Sequence, residues 1–126
     1  MAMNQPKARI MKINKIAIIG AGSWGTALAL LLSRKGLQLS MWDKNSDHIR
    51  QLAQDRENIR HHPGHRFPEG LQVTKDLAKA VDGAECVVMV VPSLGYREVY
   101  RELYPRLSSG TLVVSAVKGI ELQSGK

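Results

Sequence analysis

The stretch KIAIIGAGSWGTALALLL, residues 15–32, constrains this chain more than any other. It runs from an apolar, strand-like segment through Gly20, Gly22 and Gly25 into an apolar segment of helix-forming residues. The spacing is G-x-G-x-x-G, and each glycine meets a different physical demand. Gly20 allows a tight turn out of a strand, Gly22 lets backbone come close to a pyrophosphate, and Gly25 lets helix and strand pack closely. The helix N-terminus then offers free N–H groups and a partial positive charge to phosphates. Three glycines alone also serve purely structural turns, so context decides. Here a strand precedes them, a helix follows, and Asp43 ends the next strand about 20 residues on, which is the context of a dinucleotide-binding corner.

The rest of the chain alternates short apolar runs with amphipathic stretches, as stacked βαβ units do. The pattern predicts a strand over 15–20, a helix over 26–35 ended by Gly36, and a strand over 37–42. Asn45 or Ser46 caps a second helix, with Ile49, Leu52 and Ala53 facing inward and its end near Asn58. The segment RHHPGHRFPEG reads as a loop leading to a strand over 71–74, after which Thr74 caps a brief helix through Val81. ECVVMVV is the most β-biased run and is stopped by Pro92. Tyr96, Val99, Tyr100 and Leu103 mark one face of the next helix, and 111–117 reads as a fifth strand. Right-handed crossovers then give an α/β, doubly wound parallel Rossmann sheet of order 3-2-1-4-5. Its crevice lies at the carboxyl ends of strands one and four. A full fold of this type has a sixth strand, and none is expected within these residues.

Length and charge bound the partners. With 126 residues, 44% of them hydrophobic, the chain forms one domain with a core. The net charge of +7 suggests nucleic acid until it is located. Lys7, Arg9, Lys12 and Lys15 all precede the first acidic residue, Asp43. Residues 1–14 therefore read as a basic N-terminal extension and 15–126 as the domain. The extension has no interleaved aromatic residues to stack bases, so it reads as solvated rather than as a nucleic-acid arm. The single cysteine, Cys86, excludes an intrachain disulfide and fits a reducing, cytoplasmic compartment. The apolar run 27–32 is too short to span a bilayer, and no apolar block of signal type precedes Ile16, so no membrane insertion is expected.

Candidate site residues cluster at the predicted crevice. A carboxylate at Asp43 suits an adenosine ribose and repels a 2′-phosphate, which favours NAD. Lys44 suits that phosphate, which favours NADP, so the choice stays open with a modest lean to NAD. Pro92 ends the central strand beside the glycines, and Ser93 is placed to cap the following helix. Lys118, in VKGIE, is a cation at the carboxyl edge of strand five, suited to a phosphate or a polarised carbonyl, or simply to solvent. His61, His62 and His65 are interrupted by Pro63 and Gly64 and lack metal-ligand spacing, so they read as loop histidines and no metal is expected. Cys86 reads as a small core residue rather than a nucleophile.

Taken in order, IIGAGSWGTALA, the MW of strand two, NIRHHPGHRFPEGLQVTKDL, VVMVVPS and VKGIELQSG resemble the N-terminal domain of bacterial NAD(P)-dependent glycerol-3-phosphate dehydrogenases. The resemblance runs from Lys15 to the last residue. Its most distinctive parts are Trp24 to Ala27 and Lys118 to Glu121. It implies a Rossmann domain followed by a helical substrate domain that lies outside these residues. It also implies reversible hydride transfer between sn-glycerol 3-phosphate and dihydroxyacetone phosphate, a small-molecule substrate pair that feeds phospholipid synthesis, in an enzyme that forms a homodimer. Ser23 and Trp24 would contact the cofactor, Lys44 would sit near the adenosine ribose or its phosphate, and Lys118 would bridge cofactor and substrate. The general base, a lysine of the helical domain in the family, would lie beyond Lys126, so these residues hold no catalytic residue and are expected to be an inactive fragment alone. His61-His62-Pro63 replaces an aromatic-Leu-Pro segment common in the family. Two other readings stand beside this one: a ketopantoate or 6-phosphogluconate type of reductase domain, and a stand-alone dinucleotide-binding sensor.

Overall fold

The computed structural model describes residues 13–116, so most of the basic extension, and Lys118 with its KGIE segment, lie outside the described residues. β1 (Lys15–Ile19) is buried from Ile16 onward, because helices cover both of its faces. Around it the chain adds α1 (Ser23–Ser33), β2 (Gln38–Trp42), α2 (Ser46–Asp55), β3 (Leu71–Thr74), α3 (Leu77–Val81), β4 (Cys86–Met89), α4 (Ser93–Leu103) and β5 (Leu112–Ser115). A 3₁₀ turn, Tyr104–Arg106, links α4 towards β5. All strand pairs are parallel and the order is β3-β2-β1-β4-β5, the expected doubly wound arrangement.

Period-two alternation divides each central strand between two cores. Ile16, Ile18, Leu39, Met41, Leu71, Cys86 and Val88 share one with Ala29 of α1 and with Ile49 and Leu52 of α2. Ala17, Ile19, Trp42, Val87 and Met89 share the other with Leu77, Ala80 and Val81 of α3 and with Val99 and Leu103 of α4. Each fully buried large aliphatic side chain contributes about 1.5–3 kcal/mol, so the two layers fix the register of the sheet. At the β5 edge coverage thins, and Leu112 and Val114 stay exposed. Burial raises the Cys86 thiol above its ordinary pKa, which suits a core residue and disfavours a thiolate.

Several boundaries differ from the sequence reading for local reasons. α1 starts at Ser23 rather than Thr26, because Gly22 takes the extended N-cap conformation directly before it. α2 ends at Asp55, where Arg56 turns left-handed at φ 54. The Arg56 guanidinium donates to the carbonyls of Pro68 and Leu71 at 2.8 and 2.7 Å, tying the helix end to β3. Ile49 and Leu52 face inward as expected, but Ala53 is exposed, and Phe67 from the returning loop completes that core. Asp76, not Thr74, caps α3, accepting from the Lys79 N–H at 3.3 Å, while the Thr74 hydroxyl accepts from Asp76 N–H at 3.0 Å. Ser93 opens α4 rather than capping it, and Pro92 occupies the cap position.

Candidate functional site

The three glycines divide into two kinds. Gly20 has φ +125, and a Cβ there would lie 2.8 Å from the Val90 carbonyl oxygen. A Cβ on Gly25 would run into the Gly20 carbonyl. These two are demanded by the chain itself, the first by the turn from β1 into α1 against the backbone that follows β4, and the second by the seating of α1. Gly22 is different: its φ is an ordinary −80, and a Cβ there would meet nothing within 4 Å. Nothing in the fold requires glycine at that place, and the space over it is open.

What lies beside Gly22 suits an anion. Gly22 brings no capping side chain to α1, and the first turn holds no acidic residue. The first intrahelical bond runs from Thr26 N–H to Gly22 C=O at 3.0 Å, which leaves the N–H groups of Ser23, Trp24 and Gly25 outside the helix ladder. Gly22, Ser23 and Trp24 are all exposed, while Ala21, Gly25 and Thr26 behind them are buried. The crest is open and its support is closed. That is the form of a phosphate cradle, and the residues present fit a dinucleotide pyrophosphate.

The support is polar and extensive. Ala21 N–H donates to Asp43 Oδ2 at 2.9 Å, and the Ala21 carbonyl accepts from His48 Nε2 at 2.7 Å. Fully buried Asn58 donates through Nδ2 to the Thr26 hydroxyl at 2.8 Å, and Thr26 sits beneath the same carbonyl. His62 Nε2 donates to the Ser23 carbonyl at 2.8 Å. A carbonyl only accepts, so both rings carry a proton on Nε2. Asn58 and His62 arrive on the His-Pro-Gly loop, closed by a bridge between Glu57 and Arg66 and by Gly64 N–H donating to Glu57 Oε2 at 2.8 Å. The loop thus buttresses the corner. Among the described residues no three His, Cys, Asp or Glu side chains gather to hold a metal ion.

Of the residues expected at the site, the structure brings together Gly20, Gly22, Ser23, Trp24, Gly25 and Asp43. Pro92 is exposed two residues past Val90, which packs on Gly20, and so borders the same corner. Asp43 carries a load that sequence did not suggest: its two oxygens accept from the N–H groups of Ala21 and Asn45, each at 2.9 Å. Lys44 turns across to α4, its Nζ 3.8 Å from Glu98 Oε1. Lys118 lies outside the described residues. Thr26, His48, Asn58, His62 and Glu98 were not among the expected site residues. Their roles depend on contacts between distant segments, and only the buried polar character of Asn58 and Thr26 marks them in hindsight.

The family described as NAD-dependent glycerol-3-phosphate dehydrogenase N-terminus matches residues 15–126. The chain belongs to this family. A glycerol-3-phosphate dehydrogenase [NAD(P)+] of Desulfotalea psychrophila is 54% identical over 106 residues, covering 84% of this chain and 31% of that protein. One from Syntrophomonas wolfei is 48% identical over 111 residues, covering 88% and 32%. The crystal structure of the Coxiella burnetii glycerol-3-phosphate dehydrogenase superposes with TM-score 0.81 at 39% identity, covering 84% of this chain and 33% of that one. The Saccharomyces cerevisiae enzyme, at 22% identity and TM-score 0.74, shares the fold. The chain therefore spans about a third of the glycerol-3-phosphate dehydrogenases it matches. No helix among the described residues is long and apolar enough to cross a membrane.

Proposed function

We propose that this chain binds NAD or NADP across the corner Gly20–Gly25. It would form the cofactor-binding part of an enzyme that interconverts sn-glycerol 3-phosphate and dihydroxyacetone phosphate. The observation that carries this reading is the open space over Gly22 beside the uncapped first turn of α1, in a chain of this family. Gly22 and the N–H groups of Ser23 and Trp24 receive the pyrophosphate, Gly20 and Gly25 hold the corner's shape, and Pro92 borders it. Asp43 keeps lone pairs free beyond its two backbone contacts and accepts from a ribose hydroxyl, with Lys44 beside it. When bound, the nicotinamide supplies or takes up the hydride.

The remaining chemistry follows from protons and charge. Oxidising the secondary alcohol requires a group within hydrogen-bond reach of its hydroxyl to take the proton. A lysine ammonium holds an anion rather than taking up a proton, so Lys118 is given the part of holding an anion between cofactor and substrate. The base is assigned to the part of the family's enzymes that this chain, spanning about a third of their length, does not cover. Cys86, buried and free, supports a reducing, cytoplasmic setting.

The test is a calorimetric titration with NADH of the parent chain and of Gly22→Val. A Cβ there meets no protein atom within 4 Å, and the branched side chain fills the approach of a pyrophosphate. Binding by the parent and its loss in the variant, with the fold retained by circular dichroism, is the expected result. Equal affinity of the two would remove the corner as the site.

A further inference from the structure

Beyond Trp42, at the end of β2, the chain places opposite charges side by side, and they face different partners. Asp43 turns back toward the corner, each of its oxygens accepting one backbone N–H. Lys44 turns outward to α4, where its ammonium meets Glu98 at 3.8 Å. A groove between β2 and α4 is lined by Trp42, Lys44, Glu98, Val99 and Glu102. Glu98 and Glu102 stand one helical turn apart, so the lining carries two carboxylates and one ammonium.

This inference rests on the reading of the corner as a dinucleotide site. We propose that Glu98 is a specificity-determining residue, which holds the Lys44 ammonium away from a cofactor 2′-phosphate and so favours NAD over NADP. A phosphate monoester carries about −1.5 to −2 charge at neutral pH, whereas the ribose hydroxyl of NAD is neutral. NADP must therefore take Lys44 from Glu98 and then lie near the released carboxylate. NAD does neither. The pair is exposed, with both side chains about three-quarters accessible, so its influence is bounded. An exposed ion pair of this kind moves an equilibrium by at most about fivefold. Glu98 thus tunes the preference set at the end of β2 rather than deciding it alone.

The experiment measures dissociation constants of NADH and NADPH for the whole chain and for Glu98→Gln, Glu98→Asp, Lys44→Gln and Lys44→Gln/Glu98→Gln. Glu98→Gln should shift the ratio toward NADPH by about threefold to fivefold, with NADH affinity unchanged and the shift shrinking as salt is raised. Glu98→Asp, which keeps the charge, should stay near the parent ratio. In the Lys44→Gln background the same change should move the ratio much less than it does alone. A ratio unmoved by Glu98→Gln overturns the inference, as does an equal shift with and without Lys44. NADH bound equally by all variants with the ratio unmoved overturns this inference alone. A parent chain that binds neither dinucleotide overturns the site reading as well.

Discussion

The two ends of β1 present the same chemical problem and solve it in opposite ways. Before the strand, the N–H groups of Asn14 and Lys15 both donate to Glu85 Oε1, at 2.7 and 3.1 Å, and the Lys15 ammonium donates to the Asp82 carbonyl at 2.6 Å. After it, Ala21 N–H is closed by Asp43, and then the provision stops at Gly22. The neighbouring helix makes the contrast sharper. α2 is capped by Asn45, whose Oδ1 accepts from His48 N–H at 3.0 Å, and its first turn holds Asp47. A cap of that kind stabilises a helix by about 1 kcal/mol. The chain thus places its own oxygen on the backbone donors before β1 and at the starts of α2 and α3, and leaves the crest of the glycine corner without one, where the proposed phosphate would take that part.

The largest effect expected from this contrast separates two glycines of one motif. Gly25→Ala would drive a methyl group into the Gly20 carbonyl, and two backbones cannot yield as a flexible side chain can. It should cost about 3 kcal/mol or more in urea unfolding, at the upper end of overpacking. Gly22→Ala, with open space around it, should cost less than about 1 kcal/mol. Similar losses in the two variants would break the division between structural and ligand-facing glycines.

Next in size is Asn45→Ala, which removes the cap of α2. Stability should fall by about 1 kcal/mol while the NADH dissociation constant stays put. Placing a cap where none exists sharpens the point. Gly22→Asp gives α1 the oxygen it lacks, at an ordinary φ, and should raise stability by a few tenths of a kcal/mol. It should also abolish NADH binding, because a carboxylate then occupies and repels at the phosphate site. Opposite signs in unfolding and titration are the signature to look for, and a corner that is merely structural cannot produce them.

Much of this contrast is legible in the sequence, and the missing part has a common cause. Strand order follows from β-biased runs separated by helical stretches and from the handedness of crossovers, so 3-2-1-4-5 needed no knowledge of side-chain contacts. The structural demands at Gly20 and Gly25 follow from the spacing of the motif in its strand-to-helix context. His48, Asn58 and His62 do not, because their partners at Ala21, Thr26 and Ser23 are distant in the chain and are met only once the 57–66 loop closes. Local ambiguity misplaced the cap of α3, since Thr74 and Asp76 both have capping oxygens and geometry chooses Asp76. Glu98 sits on a solvent-facing helix surface, where charge carries no periodic signal, so its pairing with Lys44 is visible only in space.

The smallest expected effect tests the closed end of β1 by pH. The backbone N–H of Asn14, and then that of Lys15, hold the Glu85 carboxyl below its ordinary pKa of 4.5. A depressed folded pKa means that the unfolded chain takes up this proton at a higher pH than the folded one does. The stabilisation is therefore fully present above about pH 4.5, declines as pH falls below that value, and is gone once pH passes the folded pKa. Glu85→Gln retains an oxygen for the same N–H groups but has no proton to gain, so its acid limb should be shallower in this window. Urea midpoints of parent and variant should differ most at neutral pH and converge below pH 4.5. The carboxylate is exposed, so the difference should be small and should shrink with added salt. A difference that stays constant through the acid range would mean that the ionisation of Glu85 adds nothing at this end of the strand. The contrast between the two ends of β1 would then rest on the presence of an acceptor and not on its charge.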